Sequence, residues 1–224
     1  MTRLVKSFVL RSGRMSRAQS RSYGEGNGPF LVPYDGSVLH FASLFGNDHS
    51  VTVEIGFGMG GATAEIARAN PEKNYLGVEV FKAGIGKLIW EIRERGLSNI
   101  RIMEHDAAEV LEHSIPPQSL DALHIFFPDP WPKKRHHKRR LIQGPFAELM
   151  ISRLRAEAYL YVVSDWEDYA RGILELLSAL PELENPYPGF AEPLRWRPRT
   201  KFEKKGLEKN RRIYEIYLCK RKGK

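Results

Sequence analysis

Short, mostly apolar runs alternate along this chain with stretches whose apolar positions return every three or four residues. The runs at 51–55, 75–80, 100–104, 120–127 and 159–164 predict strands. Helices are predicted from the glycine-rich loop after Ile55 to about Ala69, around 107–111, over 146–154 and over 166–179. Asn70-Pro71 stops the first of these, because the residue before a proline disfavours helical geometry. Ile85, Leu88, Ile89 and Ile92 lie at helical spacing, and Gly96 offers a C-terminal cap. Residues 35–45 predict one further short helix. Strands alternating with helices imply an α/β, Rossmann-like, doubly wound and mostly parallel sheet with right-handed crossovers. After Pro181 the chain is rich in Pro, Gly and Arg, and residues 213–219 then predict an antiparallel C-terminal edge strand. The organisation is a basic, partly flexible arm over 1–30 and a single domain over 31–224.

Composition narrows the classes. A chain of 224 residues with 42% hydrophobic and 28% charged content is globular rather than disordered. No apolar run approaches the ~18 residues of a membrane helix. The single cysteine, Cys219, excludes an intrachain disulfide and a cysteine-rich zinc site. It fits a reducing, cytoplasmic setting, with no membrane and no metal as partners. A monomer or a homodimer is compatible with all of this.

Charge changes the picture more. Residues 1–22, 133–140, 195–212 and 220–224 hold 25 of the 35 Lys and Arg but only two acids, Glu203 and Glu208. The body is acidic and its appendages are basic, which favours a polyanion partner such as a nucleic acid. The N-terminal stretch is rich in Arg and Ser, with no acid before Glu25. It reads either as an RNA-contacting arm or as a transit peptide.

Open parallel sheets bind ligands beyond the carboxyl ends of their strands. The first predicted strand ends in Glu54-Ile55-Gly56-Phe57-Gly58-Met59-Gly60-Gly61, which formally contains the dinucleotide fingerprint. Alone that motif is weak. The next strand ends at Glu79, the third leads to Asp106 and the fourth to Asp129. Neighbouring carboxylates call for a cationic ligand and repel a pyrophosphate. S-adenosylmethionine carries a sulfonium, an ammonium and one carboxylate, and fits better than NAD. Glu79 suits a ribose hydroxyl pair.

Residues 125–140 read IFFPDPWPKKRHHKRR. Prolines at 128 and 130 stiffen the turn around Asp129, and Trp131 is either a stacking surface or a core aromatic. Lys133, Lys134, Arg135, Lys138, Arg139 and Arg140, with His136 and His137, form a cationic stretch suited to phosphates. In the tail, Arg199-Thr200-Lys201-Phe202-Glu203 combines groups that can read a base edge and stack on its face, or can equally form a structural loop.

These residues resemble the tRNA (guanine-N7-)-methyltransferase family of class I S-adenosylmethionine-dependent enzymes. The resemblance runs from about residue 11 to Cys219, through EIGFGMG at 54–60, GVEV at 77–80, FFPDPWPKKRHHKRR at 126–140, SDWEDYA at 164–170 and RTKFE at 199–203. It implies a seven-stranded methyltransferase sheet and methylation of the variable-loop guanine of tRNA at N7. It further implies that Glu54, Gly56, Gly58, Glu79, Asp106 and Asp129 line the cofactor site, with Asp129 catalytic. Lys133, Asp165, Thr200, Lys201, Phe202 and Glu203 would meet the substrate. Arg135, His136, His137, Lys138, Arg139 and Arg140 would meet RNA. Gly61-Ala62-Thr63, Phe81, Arg155-Ala-Glu-Ala158, Ser164 and Asn210-Arg211 depart from the family pattern, and none of them is one of the four acids. A nucleotide-binding oxidoreductase and an inactive RNA-binding module are the alternatives.

Overall fold

The computed structural model describes residues 8, 14–24 and 28–222. Eight strands form one sheet: β1 (Leu31–Val32), β2 (Ser50–Ile55), β3 (Lys73–Glu79), β4 (Ile100–Glu104), β5 (Leu120–Phe126), β6 (Leu154–Ser164), β7 (Leu183–Glu184) and β8 (Tyr214–Lys220). Their spatial order is β1-β4-β3-β2-β5-β6-β8-β7. Neighbours from β1 through β6 are parallel, whereas β8 runs antiparallel to both β6 and β7. The helices are α1 (Arg17–Gly24), α2 (Phe41–Phe45), α3 (Gly61–Ala69), α4 (Lys82–Glu94), α5 (Ala107–Glu109), α6 (Gly144–Arg153), α7 (Glu167–Ser178) and α8 (Lys201–Glu208).

Both faces of the sheet are buried, which is why its central strands are nearly continuous apolar runs. One face carries Val53, Leu123, Ile125, Leu160 and Val162 against α6 and α7. The other carries Tyr75, Ile100, Ile102, Tyr161 and Val163 against Ile85, Leu88, Ile89 and Ile92 of α4. The chain starts the long strands at β2, steps outward to β4, then returns to lay β5 on the other side of β2. The carboxyl ends of β2 and β5 therefore flank the switch point, where open sheets form their ligand crevice.

The α/β, mostly parallel class and the antiparallel last long strand agree with expectation, with differences of detail. The two-residue strands β1 and β7 bring the count to eight rather than seven. Because β7 pairs outside β8, the final strand is second from the edge. The helix expected over 35–45 shrinks to α2, since Asp35 turns back to accept from the backbone N–H of Ser37 at 2.9 Å. Strand β6 begins five residues early, at Leu154, and absorbs an irregular register in which Glu157 has φ 64°.

The N-terminal arm is not wholly apart from the domain. Helix α1 packs on α4, where Gly86 leaves room for the Gln19 carbonyl: a Cβ there would lie 2.5 Å from that oxygen. Tyr23 donates to Glu104 at 2.5 Å. Residues 1–7 and 9–13, most of the stretch read as RNA arm or transit peptide, lie outside the described residues.

Candidate functional site

Three glycines shape the loop after β2. Gly56, Gly58 and Gly60 have φ 73°, 59° and 70°, a left-handed geometry that side chains resist. Phe57 is the loop's inward anchor, its ring packed over Gly77 of β3 where a Cβ would lie 2.7 Å away. The loop thus hugs the sheet and opens α3 beside the switch point.

The acids gather around this loop. Glu54, near the end of β2, is 3% exposed. Burial lifts its carboxyl from the ordinary 4.5 to about 7; the charge of Glu79 adds to this and the Thr63 hydroxyl opposes it. Glu79 accepts from the N–H groups of Gly58 at 2.8 Å, Val80 at 2.7 Å and Phe81 at 3.1 Å. Burial also pushes Glu79 upward against those three donors, and the charge of Asp129 pushes the same way. Asp106 caps α5, accepting from the N–H of Ala108 at 2.9 Å. The four acids stand at or just beyond four adjacent parallel strand ends, and burial together with neighbouring negative charge pushes two of them, Glu54 and Glu79, toward the neutral form.

The proline-flanked turn leaves β5 at Phe127, whose N–H donates to the Val163 carbonyl at 2.7 Å. Phe127 and Trp131 both have positive φ, 54° and 46°, and bracket the turn with strained backbone. Asp129 is exposed. Trp131 is half-buried: the Arg139 guanidinium lies 4.3 Å from its ring centre and the His136 ring meets it edge-on at 6.0 Å. It is part of the cationic cluster rather than a core aromatic.

Residues Lys134–Arg139 form a short 3-10 helix preceded by Lys133. Lys133, Lys134, Arg135 and Lys138 are exposed. Desolvation, then the charges of Arg135, Lys133, Arg139 and Lys138, hold the His136 imidazole below its ordinary value. Arg140 differs from the rest of the run. It donates to the Pro130 carbonyl at 2.9 Å and to Asp168 at 2.6 Å.

The tail supplies the facing wall. Thr200 caps α8, its hydroxyl accepting from the Glu203 N–H at 3.1 Å. Phe202 is 54% exposed, stacks at 6.5 Å on Phe127 and lies beside Gly58. Helix α8 also touches Asp165, at Gly206. The tail thus brings the glycine loop, the proline turn and the end of β6 together.

Two assigned substrate acceptors are already engaged. Glu203 is 6% exposed and pairs with Arg197 at 2.6 Å. Arg197 also donates to Glu215 at 2.7 Å and to the Tyr161 hydroxyl at 3.0 Å, and Tyr161 donates to Glu215. Asp165 pairs with Arg211 at 2.7 Å. Reading the sequence missed Arg197, Glu215, Tyr161 and Asp168. Arg197, Glu215 and Tyr161 sit in no motif, and Asp168 lies within the run at 164–170 with nothing local to mark its partner; Thr200-x-x-Glu203 has the form of a helix start.

Among the described residues, no group of three or more His, Cys, Asp or Glu could hold a metal, and no helix is long and apolar enough to cross a membrane.

A family model described as "Putative methyltransferase" matches residues 48–216. A tRNA (guanine-N(7)-)-methyltransferase of Nitrosospira multiformis is 47% identical over 221 residues, covering 99% of this chain and 96% of the relative. One of Methylobacillus flagellatus is 49% identical over 215 residues, covering 96% and 90%. The fold is similar to the 16S rRNA methyltransferase KamB, with TM-score 0.56, 15% identity and coverage of 97% and 99%. It is similar also to an S-adenosylmethionine-dependent O-methyltransferase of Thermotoga maritima, with TM-score 0.52, 16% identity and coverage of 84% and 68%. None of these matches supports an oxidoreductase or an inactive RNA-binding module. The chain belongs to the tRNA (guanine-N7-)-methyltransferase family.

Proposed function

We propose that this protein methylates N7 of the variable-loop guanine of tRNA, with S-adenosylmethionine as donor. One observation carries the reading beyond family membership. Glu54 is a buried and Glu79 a half-buried carboxyl, both shifted toward neutrality beside a glycine loop whose backbone can approach a ligand closely. That donor set suits a ligand with an ammonium, a sulfonium and ribose hydroxyls, and it disfavours a pyrophosphate. Glu54, Glu79, Asp106 and the Gly56–Gly58 backbone would hold the cofactor, which supplies a methyl group activated on a sulfonium.

Guanine N7 carries an in-plane lone pair and no proton, so no general base is needed to create the nucleophile. The chain's contribution is alignment and electrostatics. Asp129, whose charge reaches Glu79 beside the glycine loop, would orient the base and stabilise the positive charge that passes to it. Phe202 would stack on the base. Asp165 offers its carboxylate to the guanine N1–H and amino group, and adenine lacks that pair of donors. Glu203, enclosed and paired with Arg197, is better suited to holding α8 in place than to reading the base. Lys133, Thr200 and Lys201 complete the substrate side, and Arg135, His136, His137, Lys138 and Arg139 face the tRNA backbone. The cytoplasm, where tRNA and the methyl donor meet, is the matching location.

The test is incubation with labelled S-adenosylmethionine and unmodified tRNA, followed by nucleoside analysis. Label in 7-methylguanosine supports the reading; label in any other nucleoside, or none, overturns it. Asp129→Asn should keep tRNA binding and lose most turnover.

A further inference from the structure

We infer that Arg140 is a positioning residue of the catalytic turn, not a ligand of tRNA phosphate. The inference rests on the methyltransferase reading above. The turn Pro128-Asp129-Pro130-Trp131-Pro132 contains three residues without a backbone N–H, so it has few donors with which to fasten itself. Strained backbone brackets it at Phe127 and Trp131. Arg140 supplies a donor from outside. Its Nε holds the carbonyl of Pro130, the residue directly after Asp129, at 2.9 Å. The same guanidinium donates through a terminal nitrogen to Asp168 on α7 at 2.6 Å, and it lies 4.8 Å from the Tyr169 ring centre. The main chain at Arg140 is itself held, because Gln143 donates to its carbonyl at 2.5 Å. One planar fork thus ties the turn bearing Asp129 to a helix of the core.

Exposure separates Arg140 from its neighbours. Its side chain is 12% exposed, against the open Lys133, Lys134, Arg135 and Lys138 earlier in the run. An arginine serving a phosphate keeps donors free in water. This one has its fork committed to a carbonyl and a carboxylate. The basic run therefore divides by role: its exposed members face the polyanion, and its last member sets where Asp129 stands.

The experiment compares the full-length protein with Arg140→Ala, Arg140→Lys, Asp168→Asn and Lys138→Ala. It reads kcat at saturating tRNA, tRNA Kd and the dependence of Kd on salt. Wild-type protein that leaves tRNA unmethylated overturns the functional reading itself, before any variant matters. With wild-type activity present, Arg140→Ala should lower kcat about a hundredfold, the scale of a misplaced reacting group. Its tRNA Kd should stay within about twofold and its salt slope should be unchanged, because no phosphate contact is lost. Arg140→Lys should recover a minor part of kcat, since an ammonium has no planar fork. Asp168→Asn should fall between wild type and Arg140→Ala in kcat with Kd unchanged. Lys138→Ala, at an exposed member of the run, should instead weaken Kd and flatten the salt slope by roughly 0.7–0.9. Weakened and less salt-dependent tRNA binding by Arg140→Ala, with kcat intact, would overturn the inference. If Arg140→Ala fails to fold, Asp168→Asn decides: full kcat in that variant also overturns it.

Discussion

Gly84 of α4 meets Gly58 of the glycine loop so closely that a Cβ on Gly84 would lie 1.8 Å from the Gly58 carbonyl oxygen. Backbone stands against backbone there, and no flexible side chain can yield. Gly84→Ala must therefore move the loop or the helix. Overpacking of this kind costs about 1–3 kcal/mol. The loop carries the candidate cofactor site, so cofactor binding should suffer more than folding. We expect calorimetric titration with S-adenosylmethionine to show at least a ~10-fold weaker Kd, with a small fall in Tm. Unchanged affinity would mean that Gly58 does not set the cradle.

Glu54 ties the candidate cofactor site to pH. Burial raises its carboxyl from 4.5 to about 7, so the folded protein binds this proton more tightly than the unfolded chain does. Its contribution to stability is whole below about pH 4.5 and fades as pH rises through about 7. Free wild-type protein should therefore lose up to roughly 3 kcal/mol from this group between pH 4.5 and 8. Glu54→Gln should flatten that stretch of the stability profile while abolishing cofactor affinity. A cationic ligand brought near Glu54 should also expel the proton. Titration of wild-type protein with S-adenosylmethionine at pH 6.5 in buffers of different ionisation enthalpy should show proton release. Equal heats in all buffers would rule out this role for Glu54.

How far the sequence alone leads depends on the range of the interaction. Glu54, Glu79, Asp106 and Asp129 were legible because strand ends in a parallel sheet share one rim, so position along the chain already implies position in space. Gly56 and Gly58 were legible as a turn after a strand. Glu203 showed its acidity in the sequence but not its partner Arg197. Arg197 lies in an irregular, proline-rich stretch with no period, and its pairing with Glu215 joins residues 18 apart across a tertiary fold. Arg140 was read with its charged neighbours for the same reason: Asp168 lies 28 residues away, on α7. The Thr200-x-x-Glu203 start of α8 was within reach, because it is a local capping signal. It was outweighed by the surrounding Pro, Gly and Arg.

Arg197 should be the most sensitive point of the tail. Its side chain is 3% exposed and balances Glu203 and Glu215, whose side chains are 8% and 1% exposed. Removing the cation leaves two enclosed carboxylates without their partner, a defect worth about 3–5 kcal/mol. Arg197→Met should lower the urea midpoint accordingly. Tyr161→Phe deletes only the hydroxyl that serves Glu215 and Arg197, and should cost about 1–3 kcal/mol. The two losses should add to less than their sum in the double variant, because they act on one network. Strict additivity would show that Tyr161 and Arg197 act separately.

Phe202 tests the opposite case, an apolar side chain that folding does not need. More than half of it is exposed, it rests on Phe127 and it overlooks Gly58. Phe202→Ala should leave Tm nearly unchanged, because little buried area is lost. If the ring stacks on the target base, its loss should cost about 1–3 kcal/mol in kcat/KM for tRNA, roughly 5- to 150-fold. Phe202→Trp should retain most of the activity, since a larger aromatic keeps the stacking face. Leucine, which has similar apolar character but no π-face, should behave like alanine in turnover. Leucine activity equal to that of tryptophan would assign Phe202 a packing role against the loop in place of a stacking one.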